Sequence, residues 1–114
     1  MIAVMFESRP APGKKQTYLD MGASLAVHLE GLDGFISIER FQSVTDPDKL
    51  LALSFWRDEQ AVDNWRNLEV HRKVQASSRR NVFDDYRLRV ASVLRDYGMF
   101  DRDGAPLDSR AVRD

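Results

Sequence analysis

The chain has 114 residues, 43% of them apolar and 31% charged, with a formal net charge of −1 and no cysteine. This is an ordinary globular composition with one domain's worth of core, so it excludes disorder and gives no field that would draw nucleic acid or an acidic membrane surface. Without cysteine there are no disulfides, zinc–thiolate sites, thiol nucleophiles or iron–sulfur ligands.

The N-terminal stretch MIAVMFESRP has too short an apolar run and no basic flank for a signal peptide. No later stretch is long enough to span a bilayer, so the expectation is a cytoplasmic protein with no membrane partner. Ile2 to Ser8 alternates, Ile2, Val4 and Phe6 against Ala3, Met5 and Glu7, and predicts a first strand. Arg9-Pro10-Ala11-Pro12-Gly13 should end it, since two prolines and a glycine interrupt a ladder. The GKKQT that follows lacks the leading glycine of a phosphate loop and reads as a basic loop entering a helix. Lys15 to Glu30 is that helix: Tyr18, Met21, Leu25, Leu29 and Leu32 make one stripe, His28 is expected half-buried at its border, and Gly31 is a candidate stop.

Gly34 to Val44 predicts a second strand, with Phe35, Ser37, Glu39 and Phe41 alternating against Ile36, Ile38 and Arg40. Asp46-Pro47-Asp48-Lys49 suits a type I turn, with proline where its fixed φ is favourable. The third strand, rich in leucine and ending in Phe55-Trp56, then completes an antiparallel hairpin. Asp58 is placed to cap a second helix and Glu59 to meet its positive end. Ala61, Val62, Trp65 and Leu68 recur at helical spacing, and the stripe continues to His71 and Gln75. Asn67 is a candidate break and second cap. The basic run Arg72, Lys73, Arg79 and Arg80 reads as a solvated face. Asp84 to Tyr97 alternates as a long last strand, and residues 101–114 form a polar tail, mobile or packed on a partner subunit.

The order β-α-β-β-α-β predicts an α+β, ferredoxin-like fold over residues 1–100: a four-stranded antiparallel sheet with both helices on one face. Apolar residues on both faces of the strands leave one apolar sheet face uncovered, which predicts a homodimer with the two sheets face to face.

GFISIERFQS, KLLALSFWRDEQAVDNW, the His71 segment and YRLRVASVLRDYG resemble antibiotic biosynthesis monooxygenase-like domains of the dimeric α+β barrel superfamily. The resemblance covers roughly Ile2 to Tyr97. It implies a homodimer with one pocket per subunit between sheet and helices. It also implies activities that include cofactor-free oxygenation of anthrones, quinol oxygenation and haem degradation. In the haem-degrading branch an iron-ligating histidine follows a helical tryptophan by nine or ten residues; His71 follows Trp65 by six, so haem is disfavoured. The resemblance therefore implies a cofactor-independent monooxygenase of an anthrone- or quinol-like aromatic molecule, with a haem-binding or haem-degrading enzyme and a non-catalytic dimeric binding protein as alternatives. His71 is the candidate catalytic base, because an imidazole titrates near pH 6.5 when unperturbed, at about working pH. Trp65, Phe55 and Phe35 are candidate pocket walls, and Tyr86 or Arg72 candidate donors to the developing oxyanion. Trp56 and Trp65 serve equally as core. No metal site is expected, since two histidines on different helices lack ligand spacing, and no nucleophile elbow is present.

Overall fold

The computed structural model describes residues 1–75 and 81–110, with the side chains of residues 69–75 outside the described set. The elements run β1 (Ile2–Pro10), α1 (Lys15–Leu29), β2 (Phe35–Gln42), β3 (Leu50–Trp56), α2 (Glu59–Gln75) and β4 (Phe83–Ser92). The four strands form one sheet in the order β2-β3-β1-β4, and every neighbouring pair is antiparallel. This is the ferredoxin-like arrangement the sequence predicts.

Pairing fixes which side chains share a face. Ile2 stands opposite Trp56 on β3 and Ser92 on β4, and Ser8 opposite Leu50 and Tyr86. Even-numbered residues of β1 and β3 therefore face the helices. They feed two buried clusters: Tyr18, Leu50 and Val82, joined by Phe6 and Phe83, and Leu29, Trp56 and Ala61, joined by Ile2, Val4, Phe35, Ile38 and Trp65. Both helices thus cover one face. Ala3, Met5, Glu7, Leu51, Leu53 and Phe55 face away.

Several expectations need correcting. Phe35 does not share a face with Phe41. The ladder slips between Phe35 and Ser37, and this bulge turns Phe35 onto Trp56 beside Ile38 while leaving Ile36 53% exposed. α2 is one uninterrupted helix, so Asn67 caps nothing; the N-terminal cap is Asp58, whose Oδ1 accepts from the Ala61 N–H at 2.9 Å. β1 runs on to Pro10, with the β4 register shifting between Arg9 and Pro10. β4 stops at Ser92 rather than Tyr97. Its last link to β1 is the Val93 N–H to the Met1 carbonyl at 3.0 Å. Gly31 does not stop α1 by a left-handed turn. The positive-φ glycines are Gly13 and Gly34, and the chain leaves α1 through a tight turn in which the Leu32 N–H reaches the Leu29 carbonyl at 3.0 Å. His28 is exposed, not half-buried.

The predicted hairpin turn forms as expected, with the Lys49 N–H donating to the Asp46 carbonyl at 3.0 Å. Residues 96–110 fold back locally. Arg102 lies over the Tyr97 ring at 5.1 Å and donates to the Ser109 carbonyl, and Ala105 is buried.

Candidate functional site

The floor of the site begins at the β3–α2 junction. Trp56 is 1% exposed. Its Nε1–H donates to Ser54 Oγ at 2.9 Å, which satisfies the one polar group that its burial would otherwise strand. Phe35 meets it edge-on at 5.2 Å and Trp65 stacks on it at 6.4 Å and 27°. Trp65 is the half-buried outer member of this stack.

The junction is held from the α1–β2 loop. Gly34 adopts φ +85°, and a Cβ there would stand 2.6 Å from the Ala61 Cβ, so only glycine lets α2 approach this closely. Arg57 grips Asp33 with two parallel bonds of 2.9 and 3.0 Å and reaches Asp58 at 3.1 Å. The grip on Asp33 and Asp58 raises the Arg57 pKa further. The Arg57 guanidinium holds the Asp33 carboxyl below its ordinary range, and the Ala61 N–H followed by Arg57 does the same for Asp58.

Beside this stack the helix-facing side of β4 is open. Tyr86, Leu88 and Val90 stand opposite Ser8, Phe6 and Val4 and are all exposed. With Val4 and Trp65 packed on the same cluster, an apolar strip runs along β1 and β4 with Trp65 at one end. Tyr86 is at the other end, in ring contact with Phe6 at 5.5 Å. Six residues separate Tyr86 from Ser92, about 20 Å of strand.

The structure therefore brings Phe35 and Trp65 together around Trp56, and it sets Tyr86 apart from them. Phe55 pairs with Ala3 and Ser37 on the opposite face of the sheet. The backbone of α2 continues through His71 and Arg72, but their side chains lie outside the described residues. Leu88, Val90 and the Gly34–Ala61 contact escaped the sequence reading. Alternation did place Leu88 and Val90 on one face with Tyr86, but nothing in it said that they stay exposed.

The away-facing side is charged at one end. Glu7 is bracketed by Lys49 at 3.4 Å and Arg89 at 3.1 Å. Desolvation pushes its carboxyl up, but the two cations outweigh this and hold it below its ordinary range. Hollows of about 230 and 210 Å³ flank this group, smaller than the roughly 300 Å³ at which small-molecule pockets usually begin. Among the described residues no group of three or more histidine, cysteine or acidic side chains could hold a metal ion.

With this geometry in place the comparisons with known proteins are decisive for the family. Residues 1–77 match the model of the antibiotic biosynthesis monooxygenase family. The chain belongs to that family. It is 44% identical over 93 residues to a jasmonate monooxygenase of Pyricularia oryzae, covering 82% of this chain and 43% of that protein; the chain thus spans less than half of its relative's length. Among solved structures, the Rv0793 protein of Mycobacterium tuberculosis superposes with a TM-score of 0.70 at 17% identity, covering 83% of this chain and 96% of that one. A MhuD variant with two manganese protoporphyrin IX molecules per active site gives 0.65 at 16% identity, covering 86% and 99%. Likenesses at such identities speak for the fold alone. Among the described residues no helix is long and apolar enough to cross a membrane.

Proposed function

We propose that this antibiotic biosynthesis monooxygenase domain oxygenates a small, mainly apolar organic molecule laid along the open β1–β4 strip against Trp65, and that it works as a cytoplasmic homodimer without a bound cofactor. The observation that carries the reading is the 44% identity to a protein named as a monooxygenase. The apolar strip ending at stacked tryptophans supports it, because it offers a surface from which water is readily displaced. In this reading the substrate is an anthrone- or quinol-like molecule that supplies its own electrons. With an anthrone a base removes the proton, the carbanion passes an electron to dioxygen, the two radicals join and take the proton back as a hydroperoxide, and loss of one water turns the CH₂ into C=O. His71, nine ångströms or so along α2 from Trp65, is the proposed base, with Arg72 as a donor to the oxyanion.

The relative's name points to a second substrate class, a carboxylate. Hydroxylating an unactivated C–H bond consumes two electrons that such a substrate does not provide, so a reductant separates the two readings. Oxygen uptake should be measured with anthrones and quinols in the absence of reductant, and with jasmonate in its presence and absence, with product masses determined. Turnover of an anthrone or quinol without reductant, lost in His71→Ala, supports the cofactor-free reading. Turnover only of jasmonate, and only with reductant, replaces it. A saturable Soret band on haem addition, one haem per chain and absent in His71→Ala, moves the reading to the haem branch.

A further inference from the structure

The seam between α1 and the β2 edge contains cationic side chains that the oxygenase reading does not use. Arg40, on the helix-facing side of β2, lies with its guanidinium carbon 5.8 Å from the Tyr18 ring centroid. It is pressed against α1 at Gly22, where a Cβ would come within 2.6 Å of that carbon. No hydrogen bond or ion pair joins its guanidinium to another described residue, and its Nε is buried without an acceptor. Such a charge is normally paired when partly buried. One step along the same face, Gln42 accepts from Lys15 Nζ at 2.8 Å, and no carboxylate pairs with Lys15 among the described residues. The first turn of α1 has no acidic residue, and its N-cap, Lys14, makes no side-chain capping bond. The end of the helix therefore adds its own positive potential beside Lys15. The Tyr18 hydroxyl, in a residue 5% exposed, is also buried without a partner. Beneath these polar groups Leu50, Phe6 and Phe83 pack with Tyr18 in the core.

We propose that this seam is an oxyanion site for a small organic carboxylate, with Arg40 as its main charge, Lys15 at its rim, and Tyr18 and Gly22 holding the guanidinium plane. Planar guanidinium matches a carboxylate in two parallel bonds, and a flat face against a ring and a glycine keeps it oriented for them. The site stands apart from the oxygenase chemistry: it exists or not whether the domain turns over a substrate.

Titration of the whole chain with sodium hexanoate, hexanamide and inorganic phosphate, followed calorimetrically and by NMR, tests it. Hexanoate should bind saturably and hexanamide at least tenfold more weakly. Arg40→Gln should lose at least tenfold in hexanoate affinity, Lys15→Gln a few-fold, and Gly22→Ala should weaken binding by displacing the guanidinium. Unchanged hexanoate binding in folded Arg40→Gln overturns the site, as does equal binding of hexanamide. Saturation by phosphate with no response to hexanoate overturns the carboxylate assignment. Should Arg40→Gln fail to fold, the Arg40 Nε–H resonance of the unmodified protein decides: displacement by hexanoate supports the site, and an unmoved resonance overturns it.

Discussion

Gly34 shows how one atom constrains the site. Its positive φ and the 2.6 Å approach of a built Cβ to Ala61 act together, so Gly34→Ala should cost on the order of 2 kcal/mol or more, from backbone strain plus overpacking. Ala61→Gly in the same chain should return the packing part but not the φ part, and a urea double-mutant cycle would read the coupling. Additive single costs would mean that the contact is not the constraint. Ser54 is a second such point. Ser54→Ala strands the buried Trp56 Nε1–H and should cost about 1–3 kcal/mol, with a change in tryptophan fluorescence; an unshifted denaturation midpoint would dismiss that bond. Trp56 as a core residue was legible from its place at the end of an apolar run. Its serine partner two residues away was not, because Ser54 is an ordinary polar residue until the pleat turns both side chains inward.

At the scale of elements, the sequence carried the order and most boundaries, because hydrophobic periodicity changes sharply at each loop. It failed where an element's course depends on a neighbour. β4 stops at Ser92, Phe35 changes face at a bulge, and α2 runs through Asn67 without breaking. The last point is testable. In an exposed mid-helix position Asn67→Ala should stabilise by a few tenths of a kcal/mol through helix propensity, whereas loss of a cap would destabilise by about 1 kcal/mol; a melting curve distinguishes the signs. Ion pairs tie the elements together: Arg57 with Asp33 and Asp58, Arg9 with Asp46, and Glu7 with Arg89 and Lys49. The pKa values of Asp33, Asp46, Asp58 and Glu7 are all lowered by folding. A lowered folded pKa means the unfolded chain binds the proton first, so stability is full above the ordinary carboxylate range and falls as pH drops through about 4 and below. The melting temperature should decline across that window, less steeply in Asp33→Asn. These groups are partly to largely exposed and so screened, and the slope should shrink in high salt. A flat profile between pH 5 and 2.5 would remove the linkage.

The whole molecule is less closed than its length allows. Its radius of gyration is 16.5 Å, against about 13 Å for a compact chain of this size. Both faces of the sheet also leave apolar side chains exposed. On the helix side, β4 is uncovered. On the other, Met5, Leu51, Leu53 and Phe55 lie half-buried with Phe41 43% exposed, while Glu7, Lys49 and Arg89 occupy the neighbouring region. The sequence made the two-sided apolar pattern visible. It could not show that the charges of the away-facing side gather around Glu7, Lys49 and Arg89 and leave an apolar half interrupted by Glu39, since that division arises from strand order rather than from any one strand. A face-to-face dimer would bury the apolar half and leave the ion pairs at its rim, where incomplete dehydration costs less. Leu53 sits near the centre, opposite Met5 and Glu39. Leu53→Glu should therefore convert a species of twice the 13.1 kDa chain mass to a monomer in light scattering, whereas Lys49→Gln at the rim should leave it dimeric. If the unmodified protein is already monomeric at micromolar concentration, or if Leu53→Glu folds and stays dimeric, the two sheets do not meet through this face. In the first case the open β1–β4 strip must bind its ligand unaided by a second copy. In the second, that strip itself becomes the surface through which the copies join.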